Sequence, residues 1–574
     1  MNTSYLSMHI DVDRAAKIAR HLYGVQGEIL TLPGELDFNF KVTDGDRRFV
    51  LKISRPAVSF DYIRYQHALL EHLAAADPPV ECPAVVPAAD GRTICDITDD
   101  AGNLRRVRLL TWIDGRLWSQ VNPVTDRLLV SLGRQAGRIT NALQGFDHHL
   151  ARRNLVWDLA QADWTRDHLE LFDTAQRRII DFFYGRFTQV QETFQGLRKS
   201  VVHNDVNDNN VVVTFDRVHP DVKAIIDYGD AVYTQTVNDL AVAVAYAAMG
   251  KPDALGAARC VVHGYHQTFP LQEPELSLLY LLAAMRLVIS VTRSALNRVK
   301  EPENTYLLIS EKPAWDLLEK WRAVEENLAH YSFRQACGYS PHPLEKRFAR
   351  WTETRQTSLA DLLSPAREKK VLPLPALRVD LSVGSTWLGH AVDYTDPEHL
   401  AFNLSRVSRA HGHAVPAGGY LEYRTRAFLS AHEPGMTQAV QEEGNTGPAY
   451  RTAHLGVDLW ALPGTPVHAL FDGRVVKIRT EDRVGPAGKN EGAAGCAALI
   501  LAHRTPDEIN FYTLYDGLDP ECGIRLQANQ IIKKGDRLGR VGDRRKKETR
   551  VPDLHFPVRL DRLRDRCDFP RTAF

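Results

Sequence analysis

Phosphoryl transfer to an alcohol needs a carboxylate that takes the hydroxyl proton. It also needs an amide and a second carboxylate that hold magnesium on the nucleotide phosphates. One stretch of this chain offers all three. His203-Asn204-Asp205-Val206-Asn207-Asp208-Asn209-Asn210 is followed, 17 residues after Asn210, by Asp227-Tyr228-Gly229-Asp230. In the order H-x-D-x-x-x-x-N and then D-x-G, Asp205 takes the place of the base, and Asn210 and Asp227 those of the magnesium ligands. Val211-Val212-Val213 and Ile225-Ile226 lie beside the two motifs and read as short buried strands. An ordinary Asn/Asp-rich turn would account for either motif alone, but not for both in this order at hairpin distance.

The elements that must position these residues can be read outward from them. FNFKV and RRFVLKI flank Asp44-Gly45-Asp46 and predict a hairpin. DYIRYQHALLEHLAAA has helical periodicity, RRVRLLTWI reads as a strand, and residues from about 124 to 200 are mostly helical in pattern. DLAVAVAYAAMG, LSLLYLLAAMRLVISVTRSAL and AWDLLEKWRAVEENLAHY continue as helices. Strands and a helix first, then a helical lobe with a catalytic hairpin, predict a two-lobed α+β domain. Lys52 falls on the third strand between Val50, Leu51 and Ile53, where it could hold the α/β-phosphates. A helix glutamate to pair with it is not evident: Gln66 or Glu71 is the nearest equivalent, and a glutamine cannot pair the charge. Leu110 to Trp112, in RLLTWIDGR, offer backbone groups to a nucleotide base, and Gly34 is the one glycine of LPGELDFNF.

From roughly 338 to 380 Pro and charge replace apolar periodicity, so this stretch reads as an inter-domain linker. Beyond it come short strands separated by Gly, Pro and Asp, the texture of an all-β domain over 381–574 with its core at about 445–562. The first domain is then 1–337, with an N-lobe to about 110 and a C-lobe from about 113. VGPAGKNEGAAG, 484 to 495, reads as a flexible loop. With 71 basic and 71 acidic residues, composition gives no reason to expect a nucleic-acid or anionic-membrane partner. The start lacks a basic and then apolar leader, and LSLLYLLAAMRLVISV is 16 residues long and contains Arg286, so it predicts a buried helix rather than a span. Seven cysteines without a C-x-x-C pair predict reduced thiols and a cytoplasmic protein.

Taken together, LPGELDFNF, RFVLKIS, RLLTWIDGR, ARRNLVWDL, HNDVNDNN, IDYGD and PENTYLLISEKPAWDLL resemble the aminoglycoside phosphotransferase and choline kinase superfamily, and within it the hydroxylysine kinases, over about residues 10 to 330. The resemblance implies a protein-kinase-like fold and nucleotide-dependent phosphorylation of a small amino alcohol or hydroxy amino acid, with Mg2+ and ATP or GTP. It makes Asp205 the base, Asn210 and Asp227 magnesium ligands, and Lys52, with Leu110 and Trp112, the nucleotide contacts. It gives His203 an orienting role in the loop and makes Asp230 and Asp239 braces. Asn207 and Asp208 either touch the γ-phosphate or substrate or simply form the turn. It also implies a partner, a pyridoxal-phosphate phospho-lyase acting on the product.

The β domain carries a second constellation. His454 and Asp458 stand in H-x-x-x-D spacing, and His555 follows 97 residues after Asp458. Two imidazoles and a carboxylate form a zinc set with one open position. HLGVDLWALPGTPVHALFDGRVV, YTLYDGL, IIKKGDRLGRVGD and LHF resemble the lysostaphin/LytM-type zinc endopeptidases over about 445 to 562. That family uses two further histidines for acid/base work. Here Asp553 and Gly517 stand at those positions. Asp553 could serve as an altered base, but an anion cannot donate to an oxyanion, so a zinc-binding module without peptidase activity is expected. His411-Gly412-His413 reads as a loop. The competing expectations are a zinc peptidase or amidase with a regulatory nucleotide-binding half, and a scaffold in which neither site turns over.

Overall fold

The computed structural model describes residues 10–34, 37–56, 58–100, 102–300, 310–354, 359–363, 375–385, 395–424, 453–480, 497–543, 551–560 and 572–573. The expected loop at 484–495, Cys496, Cys567, residues 302–309 of PENTYLLIS and 364–374 of the expected linker lie outside them. The chain divides into two units, Met1–Pro341 and His342–Phe574.

The first unit opens with α1 (Val12–Tyr23). Asp11 caps it by accepting the Arg14 N–H, and Gly24 closes it at φ +67°. Strands β1 (Glu28–Leu32), β2 (Phe38–Asp44) and β3 (Arg47–Ile53) precede α2 (Phe60–Ala74). Then come β4 (Val85–Val86), β5 (Cys95–Thr98) and β6 (Leu104–Thr111). The sheet runs β1-β2-β3-β6-β4, with β5 also on β6. The expected hairpin is present: Asp44 pairs with Arg47 across a two-residue turn, whose Gly45 takes φ +61°. Alternation along β3 sends Phe49, Leu51 and Ile53 into a core shared with Ala15 and Ala19 of α1. Lys52 is therefore left on the opposite face of the sheet, directly across from Arg108 of β6.

The rest of this unit is mainly helical. It comprises β7 (Arg116–Leu117), α3 (Asp126–Ala142), α4 (Thr174–Gln189), α5 (Gln191–Gln195), β8 (Lys199–Val202), β9 (Val211–Val213), β10 (Val222–Ile225) and β11 (Val232–Gln235). Helices α6 (Val237–Ala248), α7 (Ala254–Thr268), α8 (Glu273–Lys300), α9 (Glu311–Ala323) and α10 (Glu326–Ala336) complete it. Strands pair in the orders β10-β9-β7 and β11-β8. Among the described residues α8 is the one helix long and apolar enough to cross a membrane, and 94% of its most apolar window is buried inside the protein. It forms the centre of the lobe's core, with Leu276, Leu279, Ala283, Leu287 and Val291 all buried.

The second unit contains α11 (Glu345–Glu353), β12 (Ala376–Arg378), α12 (Pro397–Ala410), β13 (Val415–Ala417), β14 (Ala453–His454), β15 (Val457–Leu459) and β16 (Pro466–His468). It continues with β17 (Gly473–Thr480), β18 (Ala497–Arg504), β19 (Asn510–Leu518), the short α13 (Cys522–Arg525), β20 (Ile531–Ile532), β21 (Arg537–Arg540), β22 (Leu554–Phe556), β23 (Val558–Arg559) and β24 (Thr572–Ala573). Its main sheet has the order β12-β13-β15-β22-β19-β18-β17-β20, with β23 on β19. The stretch read as a linker carries structure of its own. Phe348 and Trp351 of α11 pack on Phe511, and Trp351 also on Phe471, while Leu362 and Leu363 join the β core. Packing of two half-buried aromatic rings outweighs the charge around them. The unit is also not purely β, because α12 packs Leu400 and Leu404 against Val379 and Leu381.

Candidate functional site

In the first unit the catalytic loop is the link between β8 and β9, and the DYGD turn is the link between β10 and β11. The two are clasped together. The Ile226 N–H donates to Asn210 O at 2.8 Å, and His203 Nε2 lies 3.0 Å from Ile226 O. Because the Asp205 N–H donates to His203 Nδ1 at 3.2 Å, the imidazole must carry its proton on Nε2. His203 is fully buried against Tyr228, so it is a brace between loop and turn. Asp239 supports the same loop by accepting the Asn204 N–H at 2.8 Å, with Asn204 at φ +66°.

Asp205 is held on both oxygens. Oδ1 accepts from Arg286 Nη2 at 3.0 Å, and Oδ2 accepts the side-chain amides of Asn210 at 2.7 Å and Asn207 at 2.9 Å. With its Nδ2 committed to Asp205, Asn210 keeps its carbonyl oxygen for a cation. Asn207 Oδ1 accepts the Asn209 N–H at 2.9 Å, so both ends of that amide build the loop. The Asp208 carbonyl accepts the Ser119 N–H, and burial raises the Asp208 carboxyl. Asp227 sits at φ +63° and meets Lys52 Nζ at 3.1 Å. The lysine holds its carboxyl down at about 2, and Arg108 opposite Lys52 adds to the effect. The lysine's partner is thus Asp227 rather than Gln66 or Glu71.

Asp230 belongs to this group of charges. Among the described residues its side chain makes no hydrogen bond. Burial, the nearby Asp205 carboxylate and Asp227 push it up to about 7, against Arg286 and Arg153. The turn is braced elsewhere: Arg153 Nη2 donates to Gly229 O at 2.7 Å and Ala231 O at 3.1 Å, Tyr65 OH to Ala231 O at 3.0 Å, and Tyr62 OH to Gly229 O. At the expected base-contact segment the Thr111 and Trp112 N–H groups go to Ala84 O and Arg48 O. Leu110 is a buried ladder residue paired with Val50 and Val85. A backbone donor to a base edge would therefore come from a residue after Trp112.

Arg286 is the functional residue that the sequence reading passed over. It is 1% exposed in the middle of α8, donates to Trp157 O at 3.0 Å and lies 4.6 Å over the Trp157 ring. The signal was the single cation in LSLLYLLAAMRLVISV. A charge in a buried apolar helix needs a partner, and here that partner is Asp205.

In the second unit β15 and β22 pair Asp458 with His555, and β14 brings in His454. One ligand atom from each lies within 4.8 Å of the others, and all three residues are buried. His454 Nδ1 donates to Gly419 O at 3.0 Å, leaving Nε2 to face Asp458 Oδ2 and His555 Nδ1, each at 3.2 Å. His555 Nδ1 is 2.8 Å from Asp458 Oδ1. A Cβ on Gly456 would come within 2.4 Å of His555 Cε1, so this glycine makes room for the imidazole. This donor set, with the Gly419 carbonyl fixing the His454 ring, fits a zinc ion. Arg424 Nη1 also contacts Asp458 Oδ2, at 2.7 Å. Burial alone would raise the Asp458 carboxyl, but His454 and Arg424 carry it well below the usual carboxylate range. Asp553 is buried two residues before His555, and Gly517 takes φ +101°, a backbone that a histidine would adopt only with strain. His413 lies in the turn after α12, where His411 Nδ1 bonds back to Val407 O.

Comparison with known proteins finds a family match spanning each constellation. Residues 28–273 match the family described as "Phosphotransferase enzyme family", and residues 452–565 match "Peptidase family M23". The chain is 28% identical over 345 residues to hydroxylysine kinase of Bos taurus, covering 54% of this chain and 91% of that one. It is 25% identical over 283 residues to homoserine kinase of Zymomonas mobilis, covering 47% and 82%. A solved structure of amicoumacin kinase with AMP-PNP, Ca2+ and Ami aligns at 16% identity over 60% of this chain and 100% of that chain, with a TM-score of 0.42. The chain thus joins a small-molecule kinase domain that matches the phosphotransferase enzyme family over residues 28–273 to a domain that matches peptidase family M23 over residues 452–565.

Proposed function

We propose that the first unit transfers the γ-phosphoryl group of ATP or GTP to the hydroxyl of a hydroxy amino acid or small amino alcohol of the hydroxylysine type. One observation carries this reading. Asp205 is held on both oxygens by Arg286, Asn207 and Asn210, while Lys52 sets Asp227 on the neighbouring turn. When bound, magnesium neutralises charge on the transferring phosphates. Asn210 Oδ1 and the Asp227 carboxylate are the groups that would hold it, and Lys52 would reach a phosphate oxygen. Asp205 accepts the acceptor's hydroxyl proton as its oxygen bonds to the γ-phosphorus and the nucleoside diphosphate leaves. The relatives named for hydroxylysine and homoserine support an acceptor that carries both amine and hydroxyl. A phospho-lyase that consumes the product, in a cytoplasm that keeps the free thiols of Cys82, Cys95, Cys260, Cys337 and Cys522 reduced, completes the reading.

The test is magnesium-dependent diphosphate release from ATP and GTP against hydroxylysine, homoserine, ethanolamine and choline. Turnover on one acceptor should fall about 10²–10⁴-fold in Asp205→Asn, with nucleotide binding retained. Wild-type protein that binds nucleotide but phosphorylates none of the panel would sink the proposal in favour of a scaffold.

For the second unit we propose a zinc site made by His454, Asp458 and His555 in a domain that does not cleave peptides. The reason is chemical: Asp553 and Gly517 supply neither of the two imidazoles that acid/base work at such a site needs. Zinc analysis of wild type and His454→Ala, alongside a peptidase assay, tests it. Peptide turnover that disappears in His454→Ala would overturn the non-proteolytic reading.

A further inference from the structure

We infer that Arg424 is a built-in counter-cation of the metal site, which keeps the metal-free domain folded and weakens its hold on zinc. This rests on the reading of His454, Asp458 and His555 as metal ligands. Arg424 is 1% exposed, and its Nη1 lies 2.7 Å from Asp458 Oδ2, on the carboxylate that would bind the metal. A guanidinium does not lose its proton in a protein, so the site holds a permanent positive charge. Arg424 is also fixed in place. Its Nε donates to Glu422 Oε2 at 3.2 Å, and Glu422 Oε1 accepts the Leu381 N–H at 2.8 Å. The backbone beneath is sewn to the strand of His454. The Leu421 N–H donates to His454 O at 2.7 Å, the His454 N–H to Glu422 O at 2.9 Å, and Tyr423 bridges Ala453.

Two consequences follow from this geometry. Without metal, Asp458 is already fully engaged: Arg424 is on Oδ2, His555 Nδ1 is on Oδ1, and His454 Nε2 is within 3.2 Å. The buried Glu422–Arg424–Asp458 chain then links the 421–424 segment to β15, so the fold does not depend on a metal to neutralise Asp458. With metal, a divalent ion must share one small carboxylate with a fixed cation in a buried site, where charge repulsion is weakly screened.

Zinc titration by calorimetry on the full chain, together with melting in EDTA, tests this, with His454→Ala correcting for zinc bound elsewhere. Arg424→Met should bind zinc about 10–100-fold tighter, the scale on which groups bonded to a metal ligand set affinity. It should also melt lower in EDTA than wild type, which stays folded there. Glu422→Gln combined with Arg424→Met removes both buried charges and should show the same tightening if the single variant folds poorly. Equal or weaker zinc binding in both variants would overturn the inference, as would loss of the wild-type fold in EDTA. Zinc bound by none of the proteins would remove the metal reading itself, and this inference with it.

Discussion

Asp205 shows how far a single residue depends on its neighbours. Its geometry rests on Arg286, which comes 81 residues later in the chain and reaches it from a buried helix. Arg286 touches Asp205 rather than any reacting atom, so it is a positioning residue. A hydrogen bond to a charged group contributes about 1.5–3 kcal/mol, so Arg286→Met should lower kcat about 10–100-fold. Nucleotide KM should stay near wild type, because Lys52 and Asp227 are untouched. An equal rise in nucleotide KM would place Arg286 in the nucleotide site instead. Asp230 makes a second test at this scale. Its carboxyl is raised from 3.8 to about 7 by burial and by the Asp205 charge, so the folded state disfavours the ionised form. That penalty is absent where the group is protonated in both states and is complete once the folded group ionises. Asp230→Asn should therefore gain melting temperature over wild type as pH rises from about 4 to 7, with the gap constant above that. Nucleotide-free thermal scans across this range measure it, and a pH-independent gap would contradict the assignment.

At the scale of elements, the catalytic hairpin is only as well placed as the helices under it. Ser131 Oγ of α3 accepts the Val222 N–H of β10 at 2.9 Å, so α3 carries the hairpin. Helix α3 in turn lies backbone to backbone on α7. A Cβ on Gly133 would stand 1.9 Å from Val261 O, and one on Gly264 would stand 2.0 Å from Val130 O. Overpacking of this kind costs about 1–3 kcal/mol. Gly264→Ala should lower the unfolding free energy by that amount, read as a lower denaturant midpoint, and reduce turnover in parallel, and an unchanged midpoint would show that the helices can part freely. None of this close approach shows in the sequence, where Gly133 and Gly264 are single glycines in helical runs. What was legible had local causes. The HNDVNDNN and IDYGD loops, the Asp44–Arg47 hairpin and the H-x-x-x-D pair are set by residues a few places apart. What escaped depends on distant contacts. Arg286 is a lone charge in an apolar run, Arg424 sits in GGYLEYRT with no pattern around it, and the lysine's partner stands on the β10–β11 turn rather than on α2. Helix α11 escaped for another reason: Phe348 and Trp351, one turn apart, were outweighed in the reading by the charges around them.

At the scale of the whole molecule, two candidate sites are housed on separate cores. The first unit is built on α8 and on the sheet packed against α1, and the second on a β core led by Leu499, Leu501, Tyr515 and Phe556. Among the described residues each of these cores lies within one unit, so a melting transition of its own is expected for each unit. Differential scanning calorimetry of the full chain should accordingly show two transitions. Magnesium with a non-hydrolysable nucleotide at about 100 times its Kd should stabilise one of them by about 2.7 kcal/mol and leave the other in place. Zinc should move only the second, and by a smaller amount while Arg424 is present. Lys52→Met should abolish the first shift and His454→Ala the second, each without affecting the other. A single transition that both ligands raise together would mean that the units unfold as one block. In that case each ligand would raise the melting of both units, because any ligand that favours the folded block stabilises the whole of it.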